Sequence, residues 1–271
     1  MRLEESPTYL SWERSLQERD LARHFRLLVC DNTAGAAAVM PPDFRGEYLH
    51  QPANPGLAAS YNVALARAAD AGERWLLLLD QDTVITTAYL EEVLVVTQEF
   101  ATDATLAAAV PKLMENGIVQ SPHAALTTLR PPPLSPDFHG FPTEKLHIYN
   151  SGAVIRVSSL KAIGGFPSDF WLDFLDHATF HLLRQQGRIL VMRSSLQHQL
   201  STNARMQAWN RTYLRRHNNV LGAESLYYRR YGTPTERRWY RLRLLRLLYG
   251  AIKHVRMPIA WQLLCALVRS T

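Results

Sequence analysis

Apolar residues in this chain gather in short unbroken runs separated by stretches of helical spacing, the pattern of a sheet covered by helices. "FRLLVCD" (25–31), "WLLLLDQDT" (75–83), "LAAAVPKL" (106–113), "GAVIRV" (152–157) and "RILVM" (188–192) read as buried strands, with "EYLHQP" (47–52) and "NGIVQ" as shorter ones. Between them "LAASYNVALARAADAG" has helical periodicity and a stop at Gly72, and a further helix is predicted from Thr87 to Phe100. Ser6 as cap and Pro7 in the first turn predict a helix over 7–19. Residues 121–147, with five prolines between Pro131 and Pro142, read as an ordered surface loop or flap, because the strand pattern resumes after them. "SSLKAIGG" is a short helix, and "FWLDFLDHATFHLLRQQG" a longer one presenting Asp173 and Asp176 one turn apart. Alternating strands and helices with short connections predict an α/β fold with a mostly parallel sheet. Beyond Thr202 the pattern is wholly helical.

Two of the strands run straight into acids, Asp31 in one case and Asp80 with Asp82 in the other. Ligands of open α/β sheets bind outside the carboxyl ends of the strands, so chemistry is expected there. An acid pair of this kind holds Mg²⁺ or Mn²⁺ through one or two carboxylates. The plain alternative is a solvated turn with Asp82 capping the next helix. His177 and His181 lie four residues apart, but no third ligand is evident and they read as a helix face.

Composition narrows the classes. The 271 residues, 47% hydrophobic and 20% charged, describe a globular chain with a sizeable core. Two distant cysteines, Cys30 and Cys265, both in apolar stretches, suggest buried thiols in a reducing compartment. The acidic start lacks the charge pattern of a secretory signal, and no apolar run approaches the roughly 20 residues of a spanning helix. The net charge of +6 is unevenly spread: from Arg205 onward fourteen Lys and Arg face only Glu224 and Glu236. An acidic body with a basic tail is not a uniformly basic nucleic-acid binder.

"CDNT", "NPGLAASYN", "WLLLLDQDT", "NSGAVIRVSSLKAIGGF" and "FLDH", in that order, resemble family 2 glycosyltransferases, most closely the bacterial rhamnosyltransferase-like branch of surface-polysaccharide synthesis. The resemblance implies the GT-A fold and a divalent metal, Mg²⁺ or Mn²⁺. It also implies a nucleoside-diphosphate sugar donor, dTDP- or UDP-linked, and transfer with inversion to a saccharide or lipid-linked acceptor. By motif, Asp31 would face the base of the donor, and Asn54, Gly56 and Asn62 would shape its pocket. Asp80 would serve the ribose and Asp82 the metal, with His198 of "SLQHQLS" near metal and diphosphate. Asp31 as a turn residue and Asn62 as a helix cap remain open alternatives. Asp176 would be the general base, with Asp173 as its alternative.

The resemblance also has departures. Where the family usually carries an acid and an arginine beyond the base, this chain has Ala178 and Leu182. Members open with a strand before the first helix, whereas here the helix follows almost at once. Either Met1 is an internal methionine or the chain is a shortened relative lacking an interior strand. A decayed, non-catalytic transferase acting through interaction is therefore the competing expectation. Residues 1–202 are expected to form the catalytic domain and 203–271 a helical basic extension. The extension mixes arginine with Trp, Tyr and Leu, so it would either dock on an anionic membrane or pack on the catalytic domain. A cytoplasmic location, peripheral at the inner face of the plasma membrane if the tail docks, is expected, with no nucleic-acid partner.

Overall fold

The first helix is fixed by its own sequence: Ser6 accepts the main-chain N–H of Tyr9 at 3.3 Å and Pro7 opens the first turn. The computed structural model describes residues 5–35, 37–41, 44–129, 131–198 and 211–270. That helix is α1 (Pro7–Glu18), followed by β1 (Leu28–Asp31), β2 (Glu47–His50), α2 (Leu57–Asp70), β3 (Trp75–Leu77), β4 (Thr83–Val84) and α3 (Thr87–Glu99). Next come β5 (Leu106–Glu115), β6 (Ile118–Ser121), β7 (His123–Ala124), β8 (Leu146–His147), β9 (Val154–Arg156), α4 (Val157–Ala162), α5 (Leu175–Gln186) and β10 (Arg188–His198). Three helices close the chain, α6 (Arg211–Tyr231), α7 (Pro234–Lys253) and α8 (Met257–Arg269).

The main sheet has the order β3-β9-β5-β10-β4, with β6 added to β5. It is mixed, which corrects the expected mostly parallel sheet. Within it only β5 and β10 run parallel, while β3·β9, β9·β5, β5·β6 and β10·β4 are antiparallel. Connections explain this. The chain reaches β10 through α5 and so returns beside β5 in the same direction. Asn116 and Gly117, both at positive φ, instead turn β5 directly back into β6. The long excursion over 122–153 delivers β9 from the opposite end.

β1 and β2 form a separate parallel pair, and among the described residues neither pairs with β3. A cavity of about 1630 Å³ lies between them, lined by Leu28–Asp31 on one side and Trp75–Asp82 on the other, and it extends to Asp176 on α5.

Apolar side chains pack on both faces of the sheet. Trp12 of α1 and Tyr89, Leu90 and Val93 of α3 cover Leu106, Ala109 and Leu113 on one face. On the other, α2, α4 and α5 meet Ala108, Val110 and Ile155. Leu221, Tyr227, Tyr240, Leu244, Ile259 and Leu263 of the last three helices belong to that same buried cluster. The C-terminal helices thus share the core of the sheet. The expected domain boundary at 202/203 falls outside the described residues.

The proline-rich excursion is anchored. Gly140 and Val191 exchange main-chain hydrogen bonds of 2.8 and 2.9 Å. Lys112, only 2% exposed, sends Nζ to the carbonyls of Phe138, Met192 and Arg193, each at 3.0 Å. Met192 and Arg193 lie in the register break of β10 between Val191 and Ser195, so the lysine joins that break to the excursion at Phe138.

Candidate active site

The chain leaves β3 at Leu77 and bends, which brings both acids of "DQD" to the cavity wall. Asp80 accepts the Tyr61 hydroxyl of α2 at 3.0 Å, and its main-chain N–H faces Ser151 Oγ at 3.5 Å. Thr8 of α1 caps the bend, hydrogen-bonding the carbonyls of Asp80 and Thr83 and accepting the Thr83 N–H at 2.9 Å. Thr83 is wholly buried. Its Oγ1 lies 2.5 Å from Ser151 Oγ and 2.8 Å from His198 Nδ1, the two strands placing Thr83 directly opposite His198. Asp82 Oδ1 stands 3.6 Å from the same imidazole nitrogen and is buried with no hydrogen-bond partner among the described residues.

Burial followed by the neighbouring Asp82 charge pushes the Asp80 carboxyl up to about 6, with the Tyr61 hydrogen bond pulling the other way. Burial likewise raises Asp82, opposed by His198. An orphaned carboxylate oxygen beside an imidazole, in a wall of acids, is a donor set suited to a hard divalent cation. The residues present therefore fit the implied metal, with Asp82 and His198 as the groups that would hold it.

Asp176 also lines this cavity. Its Oδ1 accepts the main-chain N–H of His177 at 2.8 Å, and burial raises its carboxyl to about 7. Asp173 departs from expectation. α5 begins only at Leu175, and Phe174 before it is left-handed at φ 61°, so the two acids do not share a helix. The cause is long-range: Asp173 is drawn into an ion pair with Arg216 of α6. Ala178, in place of an acid, is buried in the core.

Asp31 ends β1 on the cavity wall and is well satisfied, by Thr33 N–H at 2.9 Å and the Tyr48 hydroxyl at 2.6 Å. Burial acts upward on its carboxyl, but these hydrogen bonds outweigh it and hold Asp31 below the usual range.

Asn54, Gly56 and Asn62 are not brought to the cavity wall. Asn54 turns the chain at φ 46° with its N–H on the Gln51 carbonyl at 2.9 Å. Gly56, at φ 96°, does permit a close approach, but the approaching group is Trp171: an added Cβ would meet its ring at 2.3 Å. Asn62 spends both ends of its amide on Phe166, accepting from its N–H at 2.8 Å and donating to its carbonyl at 2.9 Å. That clamp ties α2 to the turn after α4.

Sequence reasoning missed Tyr61, Ser151 and Thr83, whose site contacts come from other segments of the chain. Ser151 sits inside "NSGAVIRV", the one signal that could have found it. It also missed a histidine cluster. His177 turns away from His181, which faces Tyr231 with ring centroids 4.8 Å apart. It meets His147 at 4.5 Å and His123 at 6.1 Å instead. Burial pushes all three of those imidazoles down, His123 and His177 to about 4, helped by neighbouring imidazoles at His123 and His147 and by Lys145 at His177.

Three comparisons bear on this geometry. A family model described as Glycosyl transferase family 2 matches residues 24–164, just over half of the 271-residue chain. S. aureus TarS 1–349 in complex with UDP is similar at a TM-score of 0.51 and 14% identity, over 95% of this chain and 82% of that one. The mannosyltransferase PcManGT from Pyrobaculum calidifontis, in complex with GDP-Man and Mn²⁺, is similar at 0.50 and 16% identity, over 98% and 84%. At such identities the likeness is one of fold, and it bears out the expected GT-A-like architecture. No curated protein sequence matches the chain.

Proposed function

The chain belongs to glycosyltransferase family 2, and on that premise we propose that it moves a sugar from a nucleoside diphosphate to an acceptor hydroxyl, inverting the anomeric carbon. The observation that carries this is one cavity lined by Asp80, Asp176 and Asp82, whose Oδ1 has no hydrogen-bond partner among the described residues. Neighbours of the same fold hold UDP, or GDP-mannose with Mn²⁺, which supports a nucleotide-sugar donor and a divalent ion here.

On this reading Asp31 and Asp80 orient the nucleoside from opposite sides of the cleft. Asp82 and His198 would hold Mg²⁺ or Mn²⁺, which supplies positive charge to the departing diphosphate. Asp176 takes the proton from the acceptor hydroxyl as that oxygen attacks the face opposite the leaving group. A carboxyl raised by burial is a better base for this than a solvated one. Asp173, engaged by Arg216, positions the loop that leads into α5.

The sugar is proposed to be a deoxyhexose such as rhamnose and the acceptor a surface saccharide, lipid-linked or free. Residues up to 202 are proposed as the catalytic unit and 203–271 as a helical extension packed on it. Among the described residues no helix is long and apolar enough to cross a membrane. α7 and α8 expose Tyr249, Ile252, Met257, Trp261 and Val268 amid arginines, which supports docking on the anionic inner face of a plasma membrane.

The test is calorimetric titration with UDP and dTDP, with and without Mn²⁺, on the protein and on Asp82→Ala. Metal-dependent binding that disappears in the variant is expected. Absence of any nucleotide binding would favour the non-catalytic alternative.

A further inference from the structure

Three histidines, remote from the acid pair in sequence, converge where the proline-rich excursion meets α5. β7 and β8 pair antiparallel with His123 directly opposite His147, and His177 in the first turn of α5 stacks on His147. One ring nitrogen from each of the three lies within 4.8 Å of the other two. We propose that His123, His147 and His177 bind one ion of the Zn²⁺ class, with its remaining coordination position open to the cleft beside Asp176.

The proton arrangement favours ligation. His123 Nδ1 faces the Ala124 carbonyl at 3.0 Å and His177 Nδ1 the Ile148 carbonyl at 3.3 Å. A carbonyl only accepts, so these nitrogens carry the protons and each Nε2 keeps its lone pair, the outer-shell arrangement typical of metal-bound imidazole. His147, 3% exposed, has Nε2 buried with no hydrogen-bond partner among the described residues. A buried polar atom of this kind wants a ligand, and a cation supplies one to all three rings at once. The rings are packed by Phe174, Tyr149 and Tyr227, which fixes their orientation. Lys145, the nearby cation, is occupied by Glu236 at 2.9 Å.

Imidazole suits Zn²⁺ and its neighbours rather than Mg²⁺ or Ca²⁺. At Zn–N distances of 2.0–2.1 Å, tetrahedral ligand nitrogens stand roughly 3.3 Å apart, so the cradle tightens by at most about 1.5 Å. Plain aromatic packing would account for the stacking, but not for a buried His147 nitrogen left without a partner beside two further imidazoles. The wall shared with Asp176, His123, His147 and Tyr149 leaves the open position toward the cleft.

The test is metal binding by the full-length protein, read without an activity assay. After chelator treatment, Zn²⁺ is titrated by calorimetry, and Co²⁺ is added as a spectroscopic probe. One high-affinity equivalent and an intense four-coordinate Co²⁺ spectrum are expected. His123→Gln and His147→Gln should each weaken Zn²⁺ at least 10–100-fold, by roughly the factor that even outer-shell changes produce. Asp82→Ala should leave it unchanged, which separates this centre from the donor-side metal. Affinity equal in the wild type and both histidine variants, or lost in Asp82→Ala alone, would overturn the proposal. Should the variants fail to fold, the wild-type Co²⁺ spectrum still decides, since a weak six-coordinate spectrum refutes a three-imidazole centre.

Discussion

Arg216 on α6 holds Asp173 in an ion pair three residues ahead of Asp176, whose own contacts are with His177. Two acids that look equivalent in "LDFLD" are thereby separated into one that is neutralised and one that is not. Asp176→Asn is expected to lower kcat by about 10²–10⁴-fold while nucleotide affinity stays put. Asp173→Asn should instead cost about 1.5–3 kcal/mol of stability, the range for a hydrogen bond to a charged group, with a smaller loss of rate. Steady-state kinetics beside urea unfolding separate the two, and equal kcat losses would refute the assignment.

Tyr61→Phe removes the side-chain donor to Asp80, whose burial otherwise disfavours its charge. The variant should be about 1–3 kcal/mol less stable and should bind nucleotide more weakly. Thermal melts with and without UDP would show both effects. An unchanged nucleotide-induced shift would mean that Asp80 does not meet the donor.

Gly56→Ala tests the Trp171 contact. The positive φ alone costs about 1–3 kcal/mol, and the ring must also move. Because Leu57 N–H bonds the Trp171 carbonyl at 2.8 Å, loosening of the whole 167–174 loop is expected, visible as faster hydrogen exchange there. Exchange unaltered in that loop would show the glycine to be dispensable.

Glu236, 1% exposed, caps α7 together with Thr233 and neutralises Lys145. Glu236→Ala should therefore destabilise by about 3 kcal/mol, through a lost cap and an uncompensated cation. Denaturant midpoints measure this directly.

Membrane docking is tested by exposed side chains, because deleting α7 and α8 would strip Tyr240, Leu244 and Leu263 from the core. Trp261→Ser with Tyr249→Ser should reduce flotation on anionic vesicles while the melting temperature holds. Equal flotation would dispose of the docking surface.

Much of the architecture was legible because it is local. Ser6 with Pro7, the leucine run into Asp80, and the Gly187 stop each announce an element within a few residues. What escaped is set by partners distant in sequence. Nothing near Asp173 reports Arg216, 43 residues later, so the helix was drawn one turn too long. Strand direction is likewise absent from an apolar run, which looks the same parallel or antiparallel, so β9 gave no warning of its sense. His123 and His147 became neighbours only through a cross-strand register that neither segment reveals. Asn62 and Gly56 were recognised as constrained positions, but the constraint is packing on Phe166 and Trp171.

The separation of β1 and β2 from the main sheet has a thermodynamic consequence. Among the described residues no ladder hydrogen bond joins the two; β1 and β2 are tied to α2 instead, by Asn32 and Gln51 on Ser60 and by Glu47 on Arg67. A nucleotide gripped by Asp31 on one side and Asp80 on the other would act as a tie-beam between them. Substrate would then be a folding partner as well as a reactant, tightening the N-terminal third of the molecule in proportion to RT ln(1 + [L]/Kd). Amide exchange in β1 and β2 should slow on saturation far more than in β5, so that occupancy of the donor site could be read from the rigidity of a region that takes no part in the chemistry.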